Sequence, residues 1–362
     1  MTEDPTVPIQ DTAPPPQGPD EVLHVVEDQA DAIFTWDYAK GARPGLDRLY
    51  EKAKTSQWNA RTDLDWSIEV DQEAVVAANA VANDRGRVDL SGTRLERWDD
   101  ATWTRFGIES QNWMLSQFLH GEQGALVCTA KIVETVPWID AKYYAATQVM
   151  DEARHVEVFA TYLHEKLSGA YPVNPHLGAL LDDIVRDSRW DMTYLGMQIM
   201  VEGLALAAFG FMHQLTTEPL LKQLLRYVMS DEARHVAFGV LSLKELYAEL
   251  GESELRERQE FAYEAAVRMR DRLVQQEVWE RMGVPLDEAM TVVARTPDQK
   301  IFQQMLFAKI VPNCRKLGLL DANGGWLRDR FAELGVAEFE HLPDTGEEYE
   351  MFALAGAETT PA

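Results

Sequence analysis

The segment Asp151-Glu152-Ala153-Arg154-His155-Val156 recurs unchanged as Asp231-Glu232-Ala233-Arg234-His235-Val236, 80 residues downstream. The same offset carries Glu122 onto Glu202, and Ala125-Leu126 onto Ala205-Leu206. Each copy holds one isolated glutamate followed by Glu-x-x-His. Residues three apart share a helix face, so Glu152 with His155, and Glu232 with His235, point the same way on helices. Carboxylate oxygens and imidazole nitrogens suit iron or manganese better than thiolate-seeking metals. Four ionised carboxylates in an apolar core carry a large desolvation cost. Two divalent cations cancel that charge, and two neutral imidazoles add none. One DEARH segment alone is equally well explained as a solvated helix face with charged pairs at helical spacing. Two copies with matching upstream glutamates argue strongly against that.

The neighbours of these residues extend the pattern. A metal-bound imidazole needs a partner on its other nitrogen. Asp151 and Asp231 adjoin the glutamates, and each is placed to accept that bond from the histidine of the opposite copy. Arg154 and Arg234 are placed to hold the aspartates.

The elements that must position these groups are long helices. An apolar periodic stretch runs from the cap at Asp99 or Asp100 to about Val136, where Pro137 breaks it. Further stretches run from Trp138 to Leu167, from about Leu177 to Leu215, and from Leu220 to Leu250. They are separated by the Pro-containing linker Ala170 to Pro175 and the turn Thr216-Thr217-Glu218-Pro219. Glu122 and Glu152 are 30 residues apart with Pro137 midway, and Glu202 and Glu232 are 30 apart with Thr217 midway. In an antiparallel hairpin, residues equidistant from the turn lie at one height, here roughly 22 Å from it. The spacing therefore predicts two hairpins, and six ligands in one layer of an all-α four-helix bundle.

Around that bundle, residues 1–20 read as a Pro-rich, acidic, disordered tail, and 21–98 as an irregular and partly helical section with a piece at Gly45 to Thr55. Residues 99–251 are the bundle. Residues 252–337 carry additional helices, including Ser253 to Met282 and Asp298 to Leu317, the latter kinked or broken at Pro312. Residues 338–362 form an acidic tail. The 362 residues carry 34 basic and 60 acidic side chains, a net charge of −26. No Lys/Arg cluster offers the cationic face that nucleic acid requires. No uninterrupted apolar run approaches the roughly 20 residues of a membrane span. Cys128 and Cys314 are the only cysteines, too few for a disulfide framework. These features point to the cytoplasm.

The ligand pattern resembles the ferritin-like di-iron carboxylate superfamily. That family includes bacterial multicomponent monooxygenases, ribonucleotide reductase small subunits, acyl-carrier-protein desaturases and arylamine N-oxygenases. The resemblance covers about Asp99 to Gly251. It implies a ferritin-like bundle, two iron ions (manganese or a mixed Mn/Fe pair being alternatives) and O2 activation. Glu122, Glu152, His155, Glu202, Glu232 and His235 are the implied ligands. The diagnostic positions of the subfamilies are not matched. The reductase subunits' radical tyrosine position is Phe159 here. The monooxygenase threonine is Leu206, the desaturase threonine is Ala205, and the N-oxygenase's extra histidine is Val228.

Small and apolar neighbours one turn from the ligands outline a candidate pocket: Phe118, Leu119, Ala125, Phe159, Ile199, Leu206 and Gly239, with Gln148 and Gln198 as polar exceptions. Ordinary core packing explains them equally well. His213 is too far along its helix to ligate, His164 faces away from His155, and Cys128 reads as a buried small hydrophobe. Trp58, Asp63, Asp65 and Trp66 read as structural packing, with a cover over one end of the bundle as the less favoured alternative. The function expected is an O2-dependent oxidase or monooxygenase on a small to medium, largely apolar organic substrate. Electrons would come from an external donor, since no flavin or nicotinamide fingerprint is present. A homodimer is compatible with the sequence. Iron handling, as ferroxidase or store, and a non-catalytic helical protein with a metal site are the alternatives.

Overall fold

The computed structural model describes residues 24–347, apart from 37, 83–87, 297–301 and 303. The expected tail 1–20 and residues 348–362 lie outside the described residues, as does most of the first turn of the helix expected from Asp298. Every regular element among the described residues is helical.

α1 (Pro44–Thr55) and α2 (Gln72–Ala82) precede the bundle. α3 (Asp100–Thr135) begins where the Asp99 side chain accepts a bond from the Thr102 amide at 2.8 Å. It ends because Val136, which precedes Pro137, takes an extended ψ of 134°. α4 (Ile139–Glu165) returns antiparallel against it. The Asn174 side chain then caps α5 (Pro175–Arg186), whose Pro175 needs no amide donor in the first turn.

The sequence predicts one helix from Leu177 to Leu215, and the structure divides it. Asp187 adopts an extended backbone, and its carboxylate takes the Arg189 amide at 2.9 Å. Lys131 Nζ binds the freed Val185 carbonyl at 2.6 Å. α6 (Trp190–Leu215) starts after this break, and α7 (Pro219–Tyr247) returns along it, capped by the Glu218 carboxylate on the Leu220 amide at 2.6 Å. α6 has a mean hydropathy of 1.6 over its most apolar window, long and apolar enough to cross a membrane. Yet 72% of that window is buried inside the protein, as suits the central helix of a bundle.

α6 is interrupted by a π-helical stretch, Leu195–Val201, immediately before Glu202. π-turns inside α-helices concentrate at functional sites. This one passes so close to α7 that a Cβ on Gly239 would lie 2.7 Å from Gln198 Cβ. Gly239 is therefore where two helices meet, and its lack of a side chain is what allows the approach.

α8 (Glu252–Arg272) packs on α5 and on the π stretch. The sequence expects it to continue to Met282. It stops because Gln275 is left-handed at φ 58°, and the short α9 (Gln276–Arg281) follows. α10 (Leu286–Arg295) and α11 (Ile310–Lys316) come next. The stretch expected from Asp298 to Leu317 is broken one turn before Pro312, where a 3-10 turn at Leu306–Ala308 precedes α11, and Pro312 itself lies in the first turn of α11, where no amide donor is needed. The start of the expected acidic tail is packed. Thr345 is buried, exchanging bonds with Asn313 at 3.0 and 3.1 Å, and Asp344 pairs with Lys316 at 2.9 Å.

Candidate metal centre

α3, α4, α6 and α7 each bring one glutamate to the bundle axis, and α4 and α7 each add a histidine. Glu122, Glu152, His155, Glu202, Glu232 and His235 are all at least 95% buried. They form two groups. Glu122, Glu152, His155 and Glu232 make one, and Glu152, Glu202 and His235 the other, with donor atoms within 4.8 Å of one another in each. Glu152 belongs to both. Glu232 reaches both histidines, with Oε1 3.2 Å from His155 Nδ1 and Oε2 3.6 Å from His235 Nδ1. The two Nδ1 atoms face inward. His235 Nδ1 lies 3.2 Å from Glu152 Oε1, and His155 Nδ1 3.2 Å from Glu122 Oε2.

The outward Nε2 atoms meet the aspartates crosswise. His155 Nε2 lies 3.2 Å from Asp231 Oδ2, and His235 Nε2 lies 3.3 Å from Asp151 Oδ2. A carboxylate on Nε2 takes the proton there and leaves Nδ1 free as a ligand. Arg154 bonds both aspartates, to Asp151 and at 3.0 Å to Asp231. Arg234 bonds Asp231 and, at 3.4 Å, Asp151. Two further donors close this layer from the segment after α1. Gln57 Nε2 donates to Asp151 at 3.1 Å, and Trp58 Nε1 donates to Asp231 at 2.7 Å. Reading Trp58 as packing missed this role. The signal for it was the indole N–H, which needs an acceptor when buried.

Several inner oxygens have no hydrogen bond: Glu152 Oε2, Glu202 Oε2 and both oxygens of Glu232. His235 Nδ1 has none either. Buried polar atoms are nearly always satisfied, and several unsatisfied donor atoms converging on one point are what a cation would bind. The donor set fits a pair of divalent ions of the iron or manganese kind.

In the metal-free protein, protons take up part of that charge. Burial, with Glu232 and Glu152 nearby, pushes Glu122 up to about 8. Burial and the carboxylates of Glu152 and Glu232 raise Glu202 well above the ordinary range. Burial alone would lower both histidines, but Glu122 and Asp231 at His155, and Glu152 and Glu232 at His235, outweigh it and raise them well above the usual value. Asp231 is held far below its usual range against its own burial, chiefly by His155 and Arg234. Groups with raised values carry protons at neutral pH, and metal must displace them. Affinity for Fe(II) or Mn(II) is therefore expected to rise from pH 6 to 8, with net proton release. Calorimetry in buffers of different ionisation enthalpy measures that release. Affinity independent of pH would contradict the proton-filled metal-free state.

The expected pocket residues divide. Phe118 and Ala125 line a narrow cavity beside Glu122, Glu202 and Glu232, with Gln117, Gly121, Val201, Ala205, Phe209 and Arg272. Gln148 Nε2 bonds Glu152 at 2.8 Å and Glu202 at 3.2 Å, and Gln198 Nε2 lies 3.5 Å from Glu202. Phe159 packs in the core against Phe118 and Phe209, with ring centroids 6.1 and 5.7 Å away. Ile199 is fully buried core, Gly239 is the helix contact, and Leu119 and Leu206 are outside the cavity lining. Side chains one turn from a ligand face either the cavity or the neighbouring helix, and helical spacing does not say which. Cys128 is buried, its thiol pushed up by burial and by Glu202.

No family model matches the chain, and no curated protein matches it. Among solved structures it is similar to a variant of an R2-like ligand-binding oxidase with an anaerobically reconstituted Mn/Fe cofactor. That match has 18% identity and a TM-score of 0.47, and covers 75% of this chain and 92% of that one. It is also similar to an R2-like ligand-binding oxidase with an aerobically reconstituted Mn/Fe cofactor, at 16% identity and a TM-score of 0.41, over 81% of this chain and 92% of that one. At such values nothing about this chain's chemistry rests on the likeness. What carries weight is the pair of antiparallel hairpins with six buried carboxylate and imidazole groups in one layer: the chain folds as an all-α, ferritin-like four-helix bundle.

Proposed function

We propose that this protein is a non-haem di-metal oxidase or monooxygenase acting on a small to medium, largely apolar organic molecule. The observation that carries the reading is the inner ring of unsatisfied oxygens on Glu152, Glu202 and Glu232. Glu122 and His155 would hold one metal and Glu202 and His235 the other, with Glu152 and Glu232 shared between them. A pair of iron ions, or manganese with iron, held there would supply redox chemistry with O2, the electrons coming from an external donor.

The chain's own residues set the conditions. Asp151 and Asp231 keep the Nε2 protons of the opposite histidines in place, which fixes both ring orientations. Arg154 and Arg234 neutralise the aspartates, so the layer outside the ligands adds no net charge to the centre. Gln148 donates to Glu152 and Glu202 together, tying the ligands of two hairpins. Phe118, Val201, Ala205 and Phe209 make the adjoining cavity apolar and restrict water beside the centre. Phe159 stands where a radical tyrosine would be placed, so that position cannot store a tyrosyl radical. That favours substrate oxidation over radical storage.

The test is O2 uptake by the iron-loaded protein with a chemical reductant. Uptake is expected to rise with substrate, at about two metals per chain. Loading far above two per chain without substrate-stimulated uptake would instead indicate iron storage. A long-lived, stoichiometric tyrosyl signal by electron paramagnetic resonance would instead indicate radical storage.

A further inference from the structure

Arg272 is the last residue of α8 and is 94% buried (6% exposed), yet its guanidinium makes no hydrogen bond or ion pair with any described residue. Nothing charged offsets its burial, which brings it down to about 10. An isolated buried cation is among the most costly groups a fold can hold, and it is retained where it meets a counter-charge. The other buried arginines among the described residues have theirs: Arg154 and Arg234 share two aspartates, and Arg258 pairs with Asp191 at 2.9 Å.

Arg272 lines two cavities. The inner one contains Glu122, Glu202 and Glu232 and has about 20 Å³ free, room for about one water. The outer one, of about 560 Å³, opens between Pro172–His176 and the α8–α9 turn, a size that suits a small organic ligand. The inner glutamates are not the missing partner. None lies within ion-pairing distance of Arg272, and two divalent ions would balance all four carboxylates of the centre. The outer carboxylates are already engaged. Glu277 accepts from Trp113 at 2.9 Å and Asn174 at 2.7 Å, Asp271 from Arg270 at 2.7 Å, and Glu280 from Gln276 at 2.7 Å.

We propose that Arg272 anchors an organic monoanion, a carboxylate, which enters through the outer cavity and presents its apolar part to the centre. The proposal deepens the oxidase reading and rests on it for calling that anion a substrate. A guanidinium binds a carboxylate through two parallel N–H donors. No partner pins Arg272, so pairing with an incoming anion draws it outward and enlarges the inner cavity along Phe118, Val201, Ala205 and Phe209. Asp271, Glu277 and Glu280 around the entrance repel dianions and leave monoanions favoured.

The test is calorimetry on the full-length protein, loaded with Fe(II) without O2. Benzoate and hexanoate are compared with benzamide, hexanamide and the dianion phthalate. The two acids are expected to bind at least tenfold more tightly than the amides or phthalate. Arg272→Gln should weaken the acids by roughly 10- to 100-fold, the loss of a charge-assisted bond, and leave amide affinity and metal content unchanged. Equal binding of acid and amide, no acid binding, or an unchanged acid affinity in Arg272→Gln would overturn the proposal. Metal-stripped protein separates the sources of affinity. Acids held only by metal lose their binding there, which also overturns it. Arg272-dependent binding that survives stripping, in a protein whose loaded form takes up no O2, supports the anion site and sinks the oxidase reading alone. Ligand-free Arg272→Met should melt higher by roughly 2–4 °C, since it removes an unpaired buried charge. A lower melting temperature would show that Arg272 is a structural residue.

Discussion

Glu152→Gln is expected to reduce metal content well below two per chain and to lower O2-dependent turnover by more than 100-fold. Glu152 belongs to both groups of converging donor atoms and, like Glu232, is shared between the two proposed metals, so its loss damages both halves of the centre at once. The effect should exceed the roughly 10- to 100-fold that follows loss of a partner outside the ligands. Glutamine keeps the shape and removes the charge. The metal-free form of this variant should change little in stability, because the repulsion of Glu152 with Glu122 and Glu202 and its attraction for His235 are lost together. Metal analysis and denaturant unfolding of the stripped proteins give the two readouts. Retained metal and turnover would show that Glu152 is not a shared ligand. Loss of metal together with a large loss of metal-free stability would show a structural residue.

Asp231→Ala is expected to give the largest loss of stability. One carboxylate accepts from His155, Trp58, Arg154 and Arg234. Removing it leaves two buried guanidinium groups on Asp151 alone, and breaking a buried pair of this kind costs roughly 3–5 kcal/mol. Metal affinity should also fall by roughly 10- to 100-fold, because His155 loses the group that fixes its Nε2 proton. The sign of the pH dependence follows from the depressed value of Asp231. Its contribution is complete above the ordinary aspartate range near 4 and is lost only as pH falls through the lower folded value. The parent should thus keep its advantage over Asp231→Ala from neutral pH down to about 4 and lose it in strong acid. Unfolding curves of both proteins between pH 3 and 8 measure this. A difference that is small and flat over that range would mark Asp231 as an ordinary solvated charge.

Much of the layer was legible in the sequence, because helices convert spacing into position. The repeat of DEARH at 80 residues, and the midpoints at Pro137 and Thr217, place Glu122, Glu152, Glu202 and Glu232 at one height without reference to any contact. The pairing of Asp151 with His235 and of Asp231 with His155 was legible for the same reason, since the two hairpins repeat. Other features depend on what packs against what. The π stretch Leu195–Val201 lies where Gln198 comes close to Gly239, and no local propensity encodes that approach. The break at Asp187 depends on a side-chain bond to the Arg189 amide and on Lys131, more than fifty residues away. Trp58 and Arg272 lie on either side of the repeated region in the sequence. Their types were visible, but their arrival at the centre depends on how α1 and α8 pack on the bundle. The choice among Phe118, Leu119, Phe159, Ile199 and Leu206 as cavity or core turns on rotations of a helix finer than a face-level reading resolves.

The central claim is that the six side chains hold two metal ions. The direct measurement is a crystal structure of the iron- and manganese-supplied protein, with anomalous scattering recorded at both absorption edges. Two peaks are expected inside the bundle. One lies against Glu122 and His155 and the other against Glu202 and His235, with Glu152 and Glu232 reaching both. A single peak, no peak, or any two of the six side chains turned away from the metals would contradict it.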